Sequence, residues 1–109
     1  MIFPNSEISN HLSSLGLVSS DTVMIHGDSG VAAQYIFEKL SDPLNSFLDI
    51  LLNYFNEGTV IVPCFTYSAT ENEIFDLDKT TSRIGKFSES FRLMDGVQRS
   101  YHPIFSVSC

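Results

Sequence analysis

The spacing of apolar side chains predicts three helices in the first half of the chain. One covers residues 6–15, beginning after a capping Ser6 and ending at Gly16, since glycine suits the left-handed stop of a helix. The others are predicted over residues 31–40 and from Pro43 onward, because proline suits the first position of a helix. Their inward positions are Val31, Ala32, Ile36 and Leu40 in the second helix, and Leu44, Phe47, Leu48, Leu51, Leu52 and Phe55 in the third.

Two runs of β-prone residues alternate with these helices. The run Thr22–His26 is short, and the run Thr59–Pro63 contains an unbroken apolar stretch, which is typical of a strand buried on both faces. Two strands separated by helical segments need a crossover connection. We therefore expect Thr22–Ile25 and Thr59–Val62 to be neighbouring parallel strands of an α/β protein.

The chain after residue 68 has weaker patterning. Residues 69–82 lack periodicity and are predicted to form a long loop, a feature that is often functional in compact domains. Ser88 is predicted to cap a short helix that carries Phe91. Because a stable sheet needs three or more strands, either residues 97–108 supply a third strand or the chain is the front part of a larger domain.

Composition and charge exclude several classes of protein. The chain has 109 residues, 43% hydrophobic and 17% charged, which allows one domain at most and argues against disorder. Its net charge of −7 argues against a nucleic-acid partner. No apolar run approaches the ~20 residues that span a bilayer, and residues 1–20 lack the features of a signal peptide. We therefore expect no membrane contact. Cys64 and Cys109 give neither a disulfide framework nor metal-ligand spacing, so we also expect a cytoplasmic location and no metal.

The charges are unevenly distributed along the chain. The first 78 residues carry one lysine against eleven acidic residues, whereas the last 31 carry five basic residues against two acidic ones. An anionic ligand is therefore expected at the last part of the chain, and a cationic ligand at the earlier acids. The alternative is that the two parts neutralise each other in the fold.

Polar side chains at the predicted strand ends are candidates for a functional site, because ligands of open α/β sheets bind at the carboxyl ends of the strands. His26 and Ser29 follow the first strand, and Thr66 follows the second. The phosphate loops of nucleotide-binding proteins, the G-x-S-x-G elbow and the H-E-x-x-H metal motif are absent from the sequence. The alternatives are a structural role for His26 and a turn-capping role for Thr66.

The densest group of chemically useful side chains is Arg99-Ser100-Tyr101-His102-Pro103-x-x-Ser106. The arginine can form two hydrogen bonds to one phosphate or carboxylate group, and the two serines offer hydroxyl groups. The histidine offers an imidazole whose backbone is held extended by the following proline. The alternative is a surface ion pair of the arginine and a buried histidine bonded to a carbonyl.

Four segments carry a more specific signal, since they occur in order and at the spacing of one known family. They are Thr22-Val23-Met24-Ile25-His26, Gly58-Thr59-Val60-Ile61-Val62-Pro63-x-Phe65-Thr66-Tyr67-Ser68, Phe75-Asp76 with Thr80–Arg92, and Gly96-Val97-x-Arg99-Ser100-x-His102-Pro103-x-x-Ser106-Val107. Each segment is weak alone, but together they resemble the aminoglycoside 3-N-acetyltransferase family and its relatives in sugar and antibiotic chemistry. The resemblance runs from about Leu15 to Cys109.

This resemblance implies an enzyme that transfers an acetyl group from acetyl-CoA to an amino group of an aminoglycoside or related aminosugar. The implied fold has three layers, α/β/α, with a central, largely parallel sheet. Members of the family are well over twice as long as this chain, and the histidine thought to act as their base lies in the later part. Residues 1–109 are therefore expected to be the N-terminal part of one such domain, with the catalytic base beyond residue 109.

The resemblance also assigns roles to individual residues of this chain. His26 and Ser29 fall on the loop that lies along the pantetheine arm of CoA, and Thr66 falls near the thioester. The block that shapes the CoA site is matched by Arg99, Ser100, His102 and Ser106. Where the family usually has two serines after the histidine, this chain has Gly27 and Asp28, and an acid there would repel a phosphate-bearing cofactor.

Two other interpretations of the chain stay open. It could be a catalytically silent fragment of such an enzyme, or an unrelated small acidic α/β binding module. We expect residues 1–109 to expose apolar surface, and hence to form homo-oligomers or to need the remainder of the domain. The acceptor, an antibiotic or a cell-surface sugar, is left open because its contacts are expected beyond residue 109.

Overall fold

Within residues 2–109, which the computed structural model describes, the chain folds into a mixed α/β structure of three α-helices and five short strands. In chain order these are β1 (Phe3–Pro4), α1 (Glu7–Ser14), β2 (Thr22–Met24), β3 (Tyr35–Ile36), α2 (Pro43–Tyr54), β4 (Thr59–Pro63), α3 (Lys86–Arg92) and β5 (Val107–Ser108). Two 3₁₀ helices, Ser29–Gln34 and Ser68–Glu71, complete the set. None of these helices is long and apolar enough to cross a membrane.

The helices and strands are divided between two compact units. The first holds Met1–Val23 and Ser29–Val60, and the second holds Met24–Asp28 and Ile61–Cys109. A parallel sheet of two strands, β1 and β3, belongs to the first unit. A sheet of three strands has the order β2-β4-β5, so β4 is its central strand.

The predicted parallel pair of strands, β2 and β4, is confirmed. In the first unit the Thr59 amide donates to the Asp21 carbonyl at 3.2 Å, and in the second the Ile25 amide donates to the Ile61 carbonyl at 2.8 Å. Residue numbers rise together along the two strands, which is the parallel arrangement. The central strand buries most of its side chains: Val60, Val62 and Pro63.

Residues 97–108 contain the third strand of this sheet, one of the two possibilities that the sequence allowed. Strand β5 runs antiparallel to β4. On the other side of β5, Arg99 forms an antiparallel bridge with Ser108, and Gln98 and Cys109 exchange two amide-to-carbonyl hydrogen bonds of 2.8 Å. The sheet is therefore mixed rather than purely parallel at β5.

Helix α2 carries the core of the first unit and is specified locally by its sequence. The Asp42 side chain accepts a hydrogen bond from the Leu44 amide at 3.0 Å, and Pro43 occupies the start of the helix. The buried apolar side chains of this unit are Ile8, Ala32, Leu44, Phe47, Leu48, Leu51, Phe55 and Val60. The predicted apolar face of α2 is confirmed, and α1 lies within one residue of its predicted ends.

The prediction of a helix over residues 31–40 is wrong. After a short 3₁₀ helix, Tyr35 and Ile36 form strand β3, which pairs with β1. The Tyr35 hydroxyl lies 2.8 Å from His11 Nδ1 and ties this strand to α1. Aromatic and β-branched residues suit a strand, and the helical pattern fails because two of its inward residues face solvent: Ile36 is 61% exposed and Leu40 is 100% exposed.

Helix α3 begins at Lys86, ahead of the predicted cap at Ser88. Gly85 precedes it with φ +119°, a backbone conformation that glycine adopts readily. Ser88 lies inside the helix, where its buried hydroxyl donates to the Gly85 carbonyl at 3.0 Å. Phe87 and Phe91 are both buried. Residues four apart lie on the same face of a helix, so the helix includes Phe87 and begins before Ser88.

Candidate functional site

In the second unit, Thr66 and the segment after Arg99 lie at the carboxyl end of β4. Thr66 is fully buried, and its amide donates to the Ile104 carbonyl at 3.1 Å. Its hydroxyl donates to the Pro103 carbonyl at 3.1 Å. These two hydrogen bonds dock the turn that carries His102 on the end of the strand.

The Arg99 side chain joins three segments of the second unit. Its Nε donates to Ser106 Oγ at 3.1 Å, and its Nη2 donates to the Cys64 carbonyl at 3.2 Å. Its Nη1 donates to the Thr80 carbonyl, and its guanidinium carbon lies 4.9 Å from the centre of the Phe75 ring. Within residues 2–109, three of the five N–H groups of this guanidinium have a hydrogen-bond partner.

Ser100 and Ser106 fix the backbone of the hairpin that residues 98–109 form. The Ser106 hydroxyl is fully buried and donates to the Cys64 carbonyl at 2.9 Å while it accepts from Arg99. The Ser100 hydroxyl accepts a hydrogen bond from the Val107 amide at 2.9 Å. Both hydroxyl groups therefore fix the shape of this segment.

His102 closes the turn at residues 103–105. Its Nδ1 accepts hydrogen bonds from the Ile104 amide at 3.2 Å and the Phe105 amide at 2.9 Å. The imidazole is exposed and stacks on the Phe105 ring, with ring centroids 5.7 Å apart. The alternative of a buried histidine bonded to a carbonyl does not describe this residue.

The two predicted residues after β2 fall in different units. His26 belongs to the second unit, is exposed, and follows Ile25 at the end of that strand. Its narrow crevice is lined by Ile25, His26, Gly27, Val62, Pro63, Ile84, Phe87 and Ser88. Ser29 belongs to the first unit, where it is half-buried at the start of a 3₁₀ helix.

Sequence reasoning missed two features of the turn that follows Thr66. Tyr67 has φ +58°, a left-handed conformation that is rare for a bulky residue. Ser68 is fully buried, and its hydroxyl has no hydrogen-bond partner within residues 2–109. Strained backbone and unpaired buried groups concentrate at functional sites. No sequence pattern signals either feature, because both depend on how residues 103–104 dock on this turn.

An ion pair on α3 was also missed. Arg92 bonds the Glu89 carboxylate through Nε at 2.7 Å and Nη2 at 2.8 Å, and the Ser82 amide donates to the same carboxylate at 2.9 Å. The hydrogen bond from Arg92 lowers the pKa of Glu89, and the same bond raises the pKa of Arg92. The spacing of three residues on a helix is the signal that could have found this pair.

Arg92 and Arg99 both line an open groove of about 420 Å³ in the second unit. The other lining residues are Leu77, Asp78, Leu93, Val97 and Gln98. A groove of this volume is large enough for a small ligand. Its arginines are already engaged with the protein, since Arg92 bonds Glu89 and donates to the Asp78 carbonyl at 2.9 Å.

An exposed charge cluster joins the first residues of the predicted loop 69–82, which begins with the 3₁₀ helix Ser68–Glu71, to Arg83 directly after that loop. Arg83 bonds the carboxylates of both Glu71 and Glu73. The hydrogen bond from Arg83 lowers the pKa of Glu71, and the bonds from the two carboxylates raise the pKa of Arg83. The Arg83 amide donates to the Phe65 carbonyl at 2.9 Å, which ties this cluster to the end of β4.

The family model for aminoglycoside 3-N-acetyltransferase matches residues 34–109. The chain belongs to the aminoglycoside 3-N-acetyltransferase family. The match includes Thr66 and the segment Arg99–Ser106, whereas His26 and Ser29 lie ahead of it. A comparison with curated proteins gives no match.

Solved acetyltransferase structures share the fold of this family member. The structure of AAC(3)-Xa is 26% identical with a TM-score of 0.76, and the alignment covers 96% of this chain and 42% of that one. AAC-IIIb, in a binary complex with CoASH, is 21% identical with a TM-score of 0.76 and coverage of 97% and 45%. Sisomicin-bound AAC-VIa is 24% identical with a TM-score of 0.76 and coverage of 99% and 46%. The chain thus spans less than half the length of these proteins.

Proposed function

We propose that residues 1–109 form the N-terminal, acetyl-CoA-binding part of an N-acetyltransferase that acts on an amino group of an aminoglycoside or related aminosugar. The observation that carries this proposal is the family match over residues 34–109, which includes Thr66 and the segment Arg99–Ser106. The fold shared with AAC-IIIb, whose structure holds CoASH, and with AAC-VIa, whose structure holds sisomicin, supports the choice of cosubstrate and acceptor.

The donor groups of the second unit fit a polyanionic cosubstrate. Two N–H groups of Arg99 have no hydrogen-bond partner among residues 2–109, and hydrogen bonds from arginine to phosphate are charge-assisted. The last 31 residues carry the excess of positive charge along the chain. Asp28, in contrast, is an acidic residue two positions after His26. We therefore place the phosphates of CoA toward the basic segment rather than beside Asp28.

In this proposal each predicted residue has a role toward CoA. His26 and Ser29 contact the pantetheine arm, and Thr66 lies near the thioester. The residues that shape the CoA site are Arg99, Ser100, His102 and Ser106. Their hydrogen bonds to main-chain groups of the hairpin and of Cys64, directly after β4, support this shaping role.

Acetyl transfer forms a bond between the acceptor nitrogen and the acetyl carbonyl carbon and breaks the thioester C–S bond, so the CoA thiol is the leaving group. The reaction needs a base to take the proton of the ammonium group and donors to stabilise the tetrahedral oxyanion. This chain contributes N–H and O–H donors. The base is proposed to lie beyond residue 109.

Titration calorimetry with CoA, together with an acetylation assay on sisomicin by the longest natural form of the protein, tests this proposal. We expect CoA to bind, and CoA thiol to be released as sisomicin is acetylated. Thr66→Val should weaken CoA binding, whereas the matched Thr59→Val, at the exposed start of β4, should leave it unchanged. Binding without acetylation would favour the silent-fragment interpretation, and no binding of CoA would overturn the proposal.

A further inference from the structure

The turn after Ser100 is closed by an imidazole nitrogen that acts only as an acceptor. His102 Nδ1 accepts from the Ile104 amide at 3.2 Å and from the Phe105 amide at 2.9 Å. An acceptor nitrogen of a neutral imidazole carries no proton, so the proton lies on Nε2. This tautomer is assigned from the hydrogen-bond network. Because the His102 side chain is exposed, its Nε2–H group is a donor that a ligand can reach.

Phe105 stacks on the imidazole that carries this donor, and Phe105 in turn contacts two more aromatic rings at the carboxyl end of β4. The imidazole stacks on Phe105 with an interplanar angle of 29°. Phe105 meets Phe65 edge-to-face at 5.1 Å and Tyr67 edge-to-face at 6.0 Å. Phe105 is itself exposed, whereas Phe65 and Tyr67 are half-buried. A ligand that suits this cluster has an oxygen acceptor with apolar groups on either side.

The charged side chains of the segment that is bonded to Phe65 favour an uncharged acceptor over a phosphate at that end of the cluster. Arg83, whose amide bonds the Phe65 carbonyl, is shared by Glu71 and Glu73. One cation against two carboxylates leaves this segment with a net negative charge, which repels a phosphate. A neutral carbonyl oxygen escapes that repulsion and still accepts a hydrogen bond from the imidazole.

We infer that His102 donates a hydrogen bond through Nε2–H to an amide carbonyl of the pantetheine arm of CoA, with Phe65, Tyr67 and Phe105 packed along the neighbouring apolar atoms. The inference rests on the proposed function, because it takes CoA as the ligand. It makes His102 a binding residue and excludes it as a general base, since Nδ1 is occupied and Nε2 holds the proton.

Two substitutions of His102 separate ligand binding from turn closure. His102→Asn keeps an acceptor that can bond backbone amides two and three residues on, but has no group at the position of Nε2. His102→Gln places an amide N–H near that position but loses the acceptor that closes the turn. Each full chain is titrated with CoA and with adenosine 3′,5′-bisphosphate, which lacks the pantetheine arm, and is unfolded in urea.

We expect His102→Asn to bind CoA about two- to tenfold more weakly, the range for one neutral hydrogen bond, with unchanged affinity for the bisphosphate and an unchanged urea midpoint. In ¹⁵N-edited spectra of the wild type, the proton should reside on Nε2, and its resonance should shift with CoA but not with the bisphosphate. Wild-type affinity for CoA in His102→Asn, or an unshifted Nε2–H resonance while CoA binds, would overturn this inference alone. Failure of the wild type to bind CoA would overturn the proposed function itself.

Discussion

Arg99 Nε donates a hydrogen bond to Ser106 Oγ at 3.1 Å, and that hydroxyl donates in turn to the Cys64 carbonyl at 2.9 Å. Arg99 Nη2 reaches the same carbonyl at 3.2 Å, so three groups close a ring of hydrogen bonds. The ring joins the hairpin to the carboxyl end of β4, and both Cys64 and Ser106 are fully buried. The family block is therefore a structural element of the second unit as well as a candidate ligand contact.

Loss of the Arg99 fork should affect both stability and CoA binding. Arg99→Ala removes three hydrogen bonds, and we expect it to lower the free energy of unfolding by about 2–3 kcal/mol and CoA affinity by about tenfold or more. Arg99→Lys should recover little of either, because an ammonium group lacks the fork. Arg83→Ala, at an exposed ion pair, is the control and should leave both stability and CoA affinity nearly unchanged, because solvent screens exposed charges. Equal CoA affinity in Arg99→Ala and wild type would contradict the assignment of Arg99 to the CoA site.

Substitution by alanine should lower the stability at only one of two fully buried serines, Ser106 and Ser68. Ser106→Ala leaves Arg99 Nε without its partner, so we expect a loss of about 1–3 kcal/mol in the free energy of unfolding. Ser68→Ala removes a hydroxyl that has no hydrogen-bond partner within residues 2–109, so stability should be unchanged or increased. Urea unfolding measures both. A destabilised Ser68→Ala would reveal a partner for that hydroxyl, such as an ordered water.

Gly58 is required by the close approach of Asp21. A Cβ at Gly58 would lie 2.0 Å from the Asp21 carbonyl oxygen, so Gly58→Ala should force the backbones apart and cost about 2–3 kcal/mol. Gly16→Ala is the matched control: Gly16 has φ +83° with open space around it, so only backbone strain of about 1 kcal/mol is expected. Chemical denaturation compares the two variants. Equal losses would mean that contact with Asp21 does not constrain position 58.

The Glu89–Arg92 pair should make stability depend on pH in the acid range. The hydrogen bond from Arg92 holds the pKa of Glu89 below its usual 4.5, so the unfolded state binds protons more readily than the folded state. The stabilisation is present above the unfolded pKa and is lost as the pH falls through the folded pKa. Glu89→Gln should therefore differ most from wild type near neutral pH and least near pH ~3. A difference in urea midpoint that stays constant over this range would refute the assignment.

Apolar side chains exposed on two strands predict self-association. Met24 on β2 is 64% exposed, and Ile36 on β3 is 61% exposed. Strands with exposed apolar residues are sites of edge pairing between chains. We expect sedimentation velocity to detect species larger than a monomer, and Met24→Lys and Ile36→Lys to reduce them more than Leu40→Lys, which lies outside any strand. A single monomeric species with a sharp unfolding transition would contradict this expectation.

Local signals were sufficient for α1, α2 and the β2–β4 pair. Asp42 and Pro43 begin α2 because a side-chain cap and a preset φ act within the first turn. The apolar spacing that follows needs only one face to be buried. Strand β4 is readable because its apolar run is short and is bounded by Gly58 and Pro63. Thr66 and Arg99 could be predicted as candidate site residues from their positions in sequence motifs, and their role toward a ligand stays a prediction.

Contacts between distant segments decided the rest. Tyr35 and Ile36 form a strand because Phe3 and Pro4 pair with them, which outweighs a helical pattern over residues 31–40. The carbonyls that Arg99 bonds belong to residues 19 and 35 positions earlier, and sequence spacing gave no sign of either. Sequence patterns report interactions among neighbours a few residues apart. A hydrogen bond between remote segments forms only after chain closure has brought both groups together, so its partners are set by the tertiary structure.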